Sequence, residues 1–353
     1  MSPATVKVPG PEVVLVTGAS RFLGGTLAAR IAEHDTVRRV IAVDTVRARR
    51  GAFGSEGAVE FVRADIRNPL IAKVIATAGV DTVVHAALSA NPGRSGGRSA
   101  MADMNIIGSM QLLAACQQAP TVRRLVVKST TAVYGSGPRD PAMFTEQMEP
   151  RGLAGGGYAK DAAEIESYVR GFARRRPDVA VTTLRFANFI GPRIDTALTR
   201  YFSLPLVPTV LGHDARLQLL HELDAVAVLE LACTAAVSGT YNVAADGVLL
   251  ASQAIRRAGR IPVPVPGLLA PVVGRLVRGA RLVDFTPEQV SFLNFGRVVD
   301  TALLTHELGF RARWTTTQAF DDFVTARGLR PLLDPQRVQA WERGAVTAAG
   351  RLR

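Results

Sequence analysis

Long apolar runs are missing from this 353-residue chain. Val13 to Val16 is short, and the stretch from Ile261 to Val273 is broken by proline. Neither approaches the ~20 residues that a membrane-spanning helix needs. No cleavable leader pattern opens the sequence, so a soluble, cytoplasmic protein without a membrane partner is expected. Cysteine is scarce: Cys116 and Cys233, both inside apolar helical patterns, read as small core residues and exclude a disulfide framework. Aromatic residues make up only 6%. None is interleaved with the arginine clusters Arg47, Arg49 and Arg50 or Arg174 to Arg176. The net charge of +12 would suit a polyanion, but this scatter reads as solvated faces, and no nucleic-acid partner is expected. A nucleotide diphosphate would also profit from the positive field. His213 and His221 have no partners at metal-ligand spacing, so no metal site is expected.

What the chain has is a core and a rhythm. Hydrophobic residues make up 48%, enough for one large domain or two modest ones. From Glu12 to about Arg185, short β-branched runs alternate with helical patterns, the signature of parallel strands joined by crossover helices. Strands are read at Val13 to Val16, Val40 to Val43, Glu60 to Arg63, Thr82 to His85, Leu125 to Ser129 and Thr182 to Arg185. Beyond Gly191, prolines at 192, 205, 208, 262, 264, 266 and 271 break the pattern, and one more strand-like segment, Thr240 to Val243, follows. The expected architecture is α/β, a Rossmann-type doubly wound parallel sheet with a smaller C-terminal substrate lobe. Residues 12–185, with 221–245 returning, form the dinucleotide-binding part, 186–330 mainly the lobe, and 331–353 a C-terminal arm.

The first strand runs into Thr17-Gly18-Ala19-Ser20-Arg21-Phe22-Leu23-Gly24-Gly25 and then at once into a helical pattern. Glycines at such a turn let backbone N–H groups approach a pyrophosphate, while the helix N-terminus contributes partial positive charge. Asp44 ends the second strand, where a carboxylate can accept hydrogen bonds from both adenosine ribose hydroxyls. That favours NAD over NADP.

These segments, together with Arg63-Ala64-Asp65-Ile66-Arg67, Val84-His85-Ala86-Ala87, Asn105 before Ile106-Ile107-Gly108, and Ser129-Thr130-Thr131-Ala132-Val133-Tyr134-Gly135, resemble the extended short-chain dehydrogenase/reductases. Leu184-Arg185 with Asn188 and Gly191-Pro192, His221 with Asp224, and Gly239 to Val243 continue the match in order. The whole is similar to the NAD-dependent epimerase/dehydratase family, and in particular to UDP-glucose 4-epimerase-like proteins of actinobacteria. The resemblance implies a nucleotide-sugar substrate and a homodimer built on two helices of the sheet layer. It also implies that Gly18, Phe22, Leu23 and Gly24 cradle the cofactor, that Asp65 and Ile66 hold adenine, and that Ala86, Ala87 and Asn105 lie along the ribose and phosphate path. Phe186 would pack near the nicotinamide, Asn188 near the sugar phosphate, and Arg216 near the nucleotide diphosphate. The family pattern T-G-x-x-G-x-x-G is broken by Arg21 at its middle glycine. A guanidinium there can pair with phosphate, which, with Arg47, makes NADP the runner-up.

The chemistry implied needs a tyrosine phenolate to remove a proton from a sugar hydroxyl while hydride leaves the same carbon. An ordinary phenol titrates near ~10, so a lysine cation must lower it. Thr130 supplies the hydroxyl of the site, and Lys160, four residues before Glu164, fits the family's lysine. Counting back, the tyrosine of Y-x-x-x-K falls on Gly156. Tyr158 lies two residues before Lys160, and residues two apart on a helix face nearly opposite ways. Three alternatives stand: the Gly155-Gly156-Gly157 run turns Tyr158 inward beside Lys160; another group such as Tyr134 is the acid/base; or the chain is a non-catalytic NAD(P)-binding regulatory or scaffold protein.

Overall fold

The computed structural model describes residues 9–48, 51, 53, 58–89, 97–151, 157–266 and 286–332. Arg49, Arg50, Gly155, Gly156, the end of the Ile261 to Val273 stretch and the segment beyond Pro335 lie outside the described residues.

The N-terminal half alternates strand and helix: β1 (Val13–Thr17), α1 (Phe22–Ile31), β2 (Arg39–Asp44), β3 (Val59–Arg63), α2 (Leu70–Ala78), β4 (Thr82–His85), α3 (Gly97–Gln118), β5 (Arg124–Thr130), α4 (Tyr158–Arg175) and β6 (Ala180–Phe186). The second half brings β7 (Asn188–Ile190), α5 (Ala197–Ser203), β8 (Leu206–Val210), β9 (Arg216–Leu217), β10 (Leu219–His221), α6 (Glu222–Thr234) and β11 (Gly239–Val243). After these come β12 (Leu249–Leu250), α7 (Ala251–Arg257), β13 (Ile261–Val265), α8 (Pro287–Phe295), β14 (Gly296–Arg297), α9 (Ala302–His306) and α10 (Thr316–Ala326).

Seven strands form one parallel sheet in the order β3-β2-β1-β4-β5-β6-β11. All six strands expected early in the chain are present, each a residue or more longer at one end or both except β4, and the late strand pairs with β6. The period-two alternation of strand side chains builds both faces. Val13, Leu15, Ile41, Val83, Leu125 and Val127 pack into one core with residues of α2, α3 and α4. Val14, Val16, Val40, Ala42, Val84 and Val126 pack into the other with residues of α1 and α6. The chain winds outward from β1 to β3 and then returns to β4 on the other side of β1. That reversal opens a crevice at the carboxyl ends of β1 and β4, where such sheets bind ligands.

A third core, with Phe202, Phe320 and Phe323 at its heart, holds the smaller lobe together. The proline-rich stretches that the sequence reads as breaks partly form structure here. β8 and β13 make a two-stranded parallel pair containing Pro208, Pro262 and Pro264. In a two-stranded pair each strand has a free edge, so an N–H lost to proline need not leave a ladder bond unmade. Among the described residues no helix is long and apolar enough to cross a membrane.

Candidate cofactor and active site

The glycine-rich turn is built by packing constraints that the sequence encodes. Gly18 has φ +75°, and a Cβ there would lie 2.8 Å from the Ala87 Cα. A Cβ on Gly24 would lie 2.4 Å from the Gly18 carbonyl oxygen. Both positions therefore demand glycine, one for conformation and both for close approach. Arg21 makes no such demand: it precedes α1 with φ −94° and ψ 158°, extended backbone open to any residue. The arginine in place of the family's glycine thus costs no backbone strain. Its exposed side chain joins Phe22, Leu23 and Gly24 in lining a cavity of about 1100 Å³ at the N-terminus of α1. Asp44 ends β2 beside this turn, its Oδ2 accepting from the Ser20 N–H (3.0 Å) and hydroxyl (2.7 Å). The turn, the helix end and the fixed carboxylate fit a dinucleotide.

The segment after β4 carries the far wall. Ala86, Leu88 and Ser89 line the cavity, whereas Ala87 packs against Gly18. Asn105, on α3, is buried and clamps this segment. Its Oδ1 accepts from the Ser89 N–H at 3.1 Å, and its Nδ2 donates to the Ser89 carbonyl at 3.0 Å and to Asp161 Oδ2 at 3.1 Å. Arg98 closes the network with two bonds of 2.7 Å to Asp161. Asn105 therefore positions the wall without lining the cavity. Asp65 and Ile66 do not line it either. The Asp65 carboxylate is gripped by the Arg67 guanidinium, whose hydrogen bonds hold it below the usual carboxylate range. Ile66 is buried against Gly108.

The chemical end of the cavity is set by β5 and the start of α4. Thr130 Oγ1 accepts the Ala132 N–H at 3.1 Å, and the residue lines the cavity together with Tyr158. Tyr158 is the first residue of α4 and lines the cavity. Its phenol is pushed up by burial, opposed by the positive charge of Arg21 and by the hydrogen bond from Thr130. Gly157 turns it inward: φ is +130°, and a Cβ there would sit 1.7 Å from Glu288 Oε1. Gly157 thus gives α4 an irregular entry at Tyr158, but it does not bring Lys160 along. Lys160 is exposed and is absent from the cavity wall, because two residues along a helix turn the side chain about 200° away. One turn after Tyr158, where a partner lysine would face it, stands fully buried Ala162.

A different lysine is present. Lys128, on β5, lines the cavity and donates from Nζ to the Leu88 carbonyl at 2.7 Å, with the Phe189 ring 5.9 Å away. Burial, and behind it the charge of Arg21, draws its ammonium down to about 7. Sequence reasoning missed it, although a signal was there: a lysine inside an otherwise apolar strand of a sheet covered on both faces is out of place.

Phe186 and Asn188 both line the cavity, the former buried at the end of β6. Arg216 does not: it is exposed on β9. Arg193 stands on the wall instead, its guanidinium 5.8 Å from the Phe22 ring centroid. Its loop is fixed by Glu222, whose carboxylate accepts from the Arg193 N–H at 3.0 Å and the Ile194 N–H at 2.8 Å. Among the described residues no three His, Cys, Asp or Glu side chains gather to hold a metal.

A glycine turn at the switch point of a seven-stranded parallel sheet defines a dinucleotide-binding α/β protein of the Rossmann type. Residues 14–244 match the model of the NAD dependent epimerase/dehydratase family, and the chain belongs to that family. An uncharacterized protein of Mycobacterium tuberculosis (strain ATCC 25618 / H37Rv) is 55% identical over 341 residues, 97% of this chain and 91% of its own. A probable UDP-arabinose 4-epimerase of Oryza sativa subsp. japonica is 29% identical over 191 residues, 52% of this chain and 46% of its own. Among solved structures, UDP-glucose-4-epimerase from Stenotrophomonas maltophila, with bound NAD and formylated UDP-arabinopyranose, superposes with TM-score 0.67 at 21% identity. That match covers 90% of this chain and 98% of the other. The dTDP-glucose 4,6-dehydratase of Bacillus anthracis in complex with NAD gives TM-score 0.68 at 18% identity, covering 90% and 96%.

Proposed function

We propose that this chain is an NAD-dependent nucleotide-sugar epimerase or dehydratase of the UDP-glucose 4-epimerase type. The observation that carries this reading is Tyr158, set by Gly157 at the start of α4 on the cavity wall beside Thr130, at the end of the sheet where the nicotinamide belongs. Bound NAD supplies a reversible acceptor for the hydride of the sugar carbon. Tyr158 takes the proton of the sugar hydroxyl as that hydride leaves, and returns it when the hydride comes back. Thr130 steadies the phenolate through its donated hydrogen bond. Asn188 faces the sugar, and Arg193, better placed than Arg216, meets the diphosphate. Asp44, its charge fixed by Ser20, favours the free ribose hydroxyls of NAD and repels the 2′-phosphate of NADP.

The exposed position of Lys160 and Ala162 one turn beyond Tyr158 favour a second reading, a dinucleotide-binding protein without turnover. One experiment separates them. Purified protein is titrated with NAD and NADP, then incubated with UDP-glucose and UDP-galactose while interconversion and bound-NADH absorbance are followed, beside Tyr158→Phe. Turnover lost in Tyr158→Phe with NAD binding retained supports the enzyme. NAD binding with no interconversion and no NADH signal on either sugar, nor on a panel of other nucleotide sugars, supports the second reading.

A further inference from the structure

We propose that Lys128, from the floor of the sheet, supplies the positive charge of this site, contacting the bound dinucleotide and taking up a proton as it binds. This rests on the reading of the cavity as a dinucleotide site and deepens it. The helix that carries Tyr158 provides no cation to the cavity: Lys160 is exposed, and Ala162 occupies the position one turn on. Lys128 reaches the crevice between the ends of β4 and β5, where its ammonium is tied to the Leu88 carbonyl, next along the chain from Ala86 and Ala87. Two of its three N–H bonds are thereby left for a ligand.

The charges around Lys128 explain why its protonation is tied to binding. Arg21 from the start of α1, His85 on β4, Tyr158 on α4, and Arg193 and Asp195 from the loop after β7 are the titratable groups facing it or sharing its cavity. His85 is buried and neutral, its own basicity lowered further by Lys128. Asp195 is engaged by Arg200 at 2.7 Å, and among the described residues no carboxylate pairs with Lys128. In the free protein, then, no carboxylate among the described residues offsets the desolvation that draws the ammonium down to about 7. The two phosphate charges of a dinucleotide supply the missing counter-charge, and an opposite charge nearby favours the ammonium. Tyr158 lines the same cavity, and a cation held there with the dinucleotide opposes the burial that pushes the phenol up.

The test is calorimetric titration of the dinucleotide that binds, in buffers of different ionisation enthalpy, from about pH 6.5 to about pH 8. The wild type is compared with Lys128→Met, Lys128→Arg and Lys160→Met, with folding checked by circular dichroism. For the wild type, proton uptake should rise across this range toward about one proton per dinucleotide, because the free lysine loses its proton while the bound one keeps it. Lys128→Met should lose the uptake and bind roughly tenfold or more weakly, the scale of a charged contact to phosphate. Lys128→Arg, always protonated, should lose the uptake but keep most of the affinity, and it serves if the methionine variant fails to fold. Lys160→Met should behave as wild type. Unchanged uptake and affinity in both Lys128 variants would overturn the assignment while leaving the dinucleotide site intact. No binding of NAD or NADP by the wild type would overturn the site itself and this assignment with it.

Discussion

Tyr134 shows how a side chain's partners decide its role. It is buried at 1% exposure, its hydroxyl donating to Asn242 Oδ1 at 2.8 Å and accepting from Arg185 Nη1 at 2.7 Å. Arg185 is itself locked to buried Glu166 at 2.7 Å. The phenol is pushed up by burial and does not line the cavity. It braces the turn after β5 against β6 and β11, away from the cavity wall. Tyr134→Phe should cost about 1–3 kcal/mol in urea unfolding, because it strands two buried polar partners. Dinucleotide affinity should stay within about twofold of the wild type. Weaker binding with unchanged stability would place the phenol in the cavity after all.

At the scale of elements, the start of α4 matters most. Glu288, the second residue of α8, lies where a Cβ on Gly157 would be, and its Oε2 accepts the Ala159 N–H at 3.4 Å. Two distant segments are thereby pinned at the point where Tyr158 enters the cavity. Gly157→Ala should destabilise the protein by roughly 1–3 kcal/mol from the positive φ alone, and more from the clash. It should also cut turnover more than dinucleotide binding, because Tyr158 moves. Adding Glu288→Ala should recover the clash component but not the conformational one, so stability should return only in part. Full recovery would show that φ carries no strain there. The glycine of this entry was legible in the sequence, as was Tyr158 two places from the expected register. Glu288 was not, because 129 residues separate it from Ala159 and only the closure of the lobe over the sheet brings them together.

For the whole molecule, the sheet was the legible part: alternating β-branched runs and glycine turns are local signals, and all seven strands lie close to where those signals put them. The proline-bearing pair β8 and β13 was hidden because proline speaks against a strand unless the partner count is known, and that is a tertiary fact. The site was half legible. Its glycine turn is local, but the exposure of Lys160 away from the cavity depends on which side of a helix faces it. Buried charge links the sheet to the stability of the fold as a whole. His85 sits between Thr17 Oγ1, 2.9 Å from its Nδ1, and Ser109 Oγ, 2.8 Å from its Nε2. Burial, then the charge of Lys128, lowers it to about 4. Above the unfolded value near ~6.5 both states hold it neutral, and it makes stability no function of pH. As pH falls from there toward about 4, only the unfolded chain takes the proton, and stability is lost, reaching roughly 3 kcal/mol. The carboxyls of buried Glu222 and Asp224 and half-buried Glu146 and Glu288, raised by desolvation, act in the opposite sense, gaining stability as they protonate in the folded state. The two contributions are separated by a difference measurement: unfolding free energies of the wild type and His85→Gln at pH 7.5 and pH 5. The wild type should lose more stability between these values than the variant, by about 1–2 kcal/mol. Equal losses would mean that His85 is protonated in the folded protein, and that the sheet interior beneath the cavity is wetter than its packing implies.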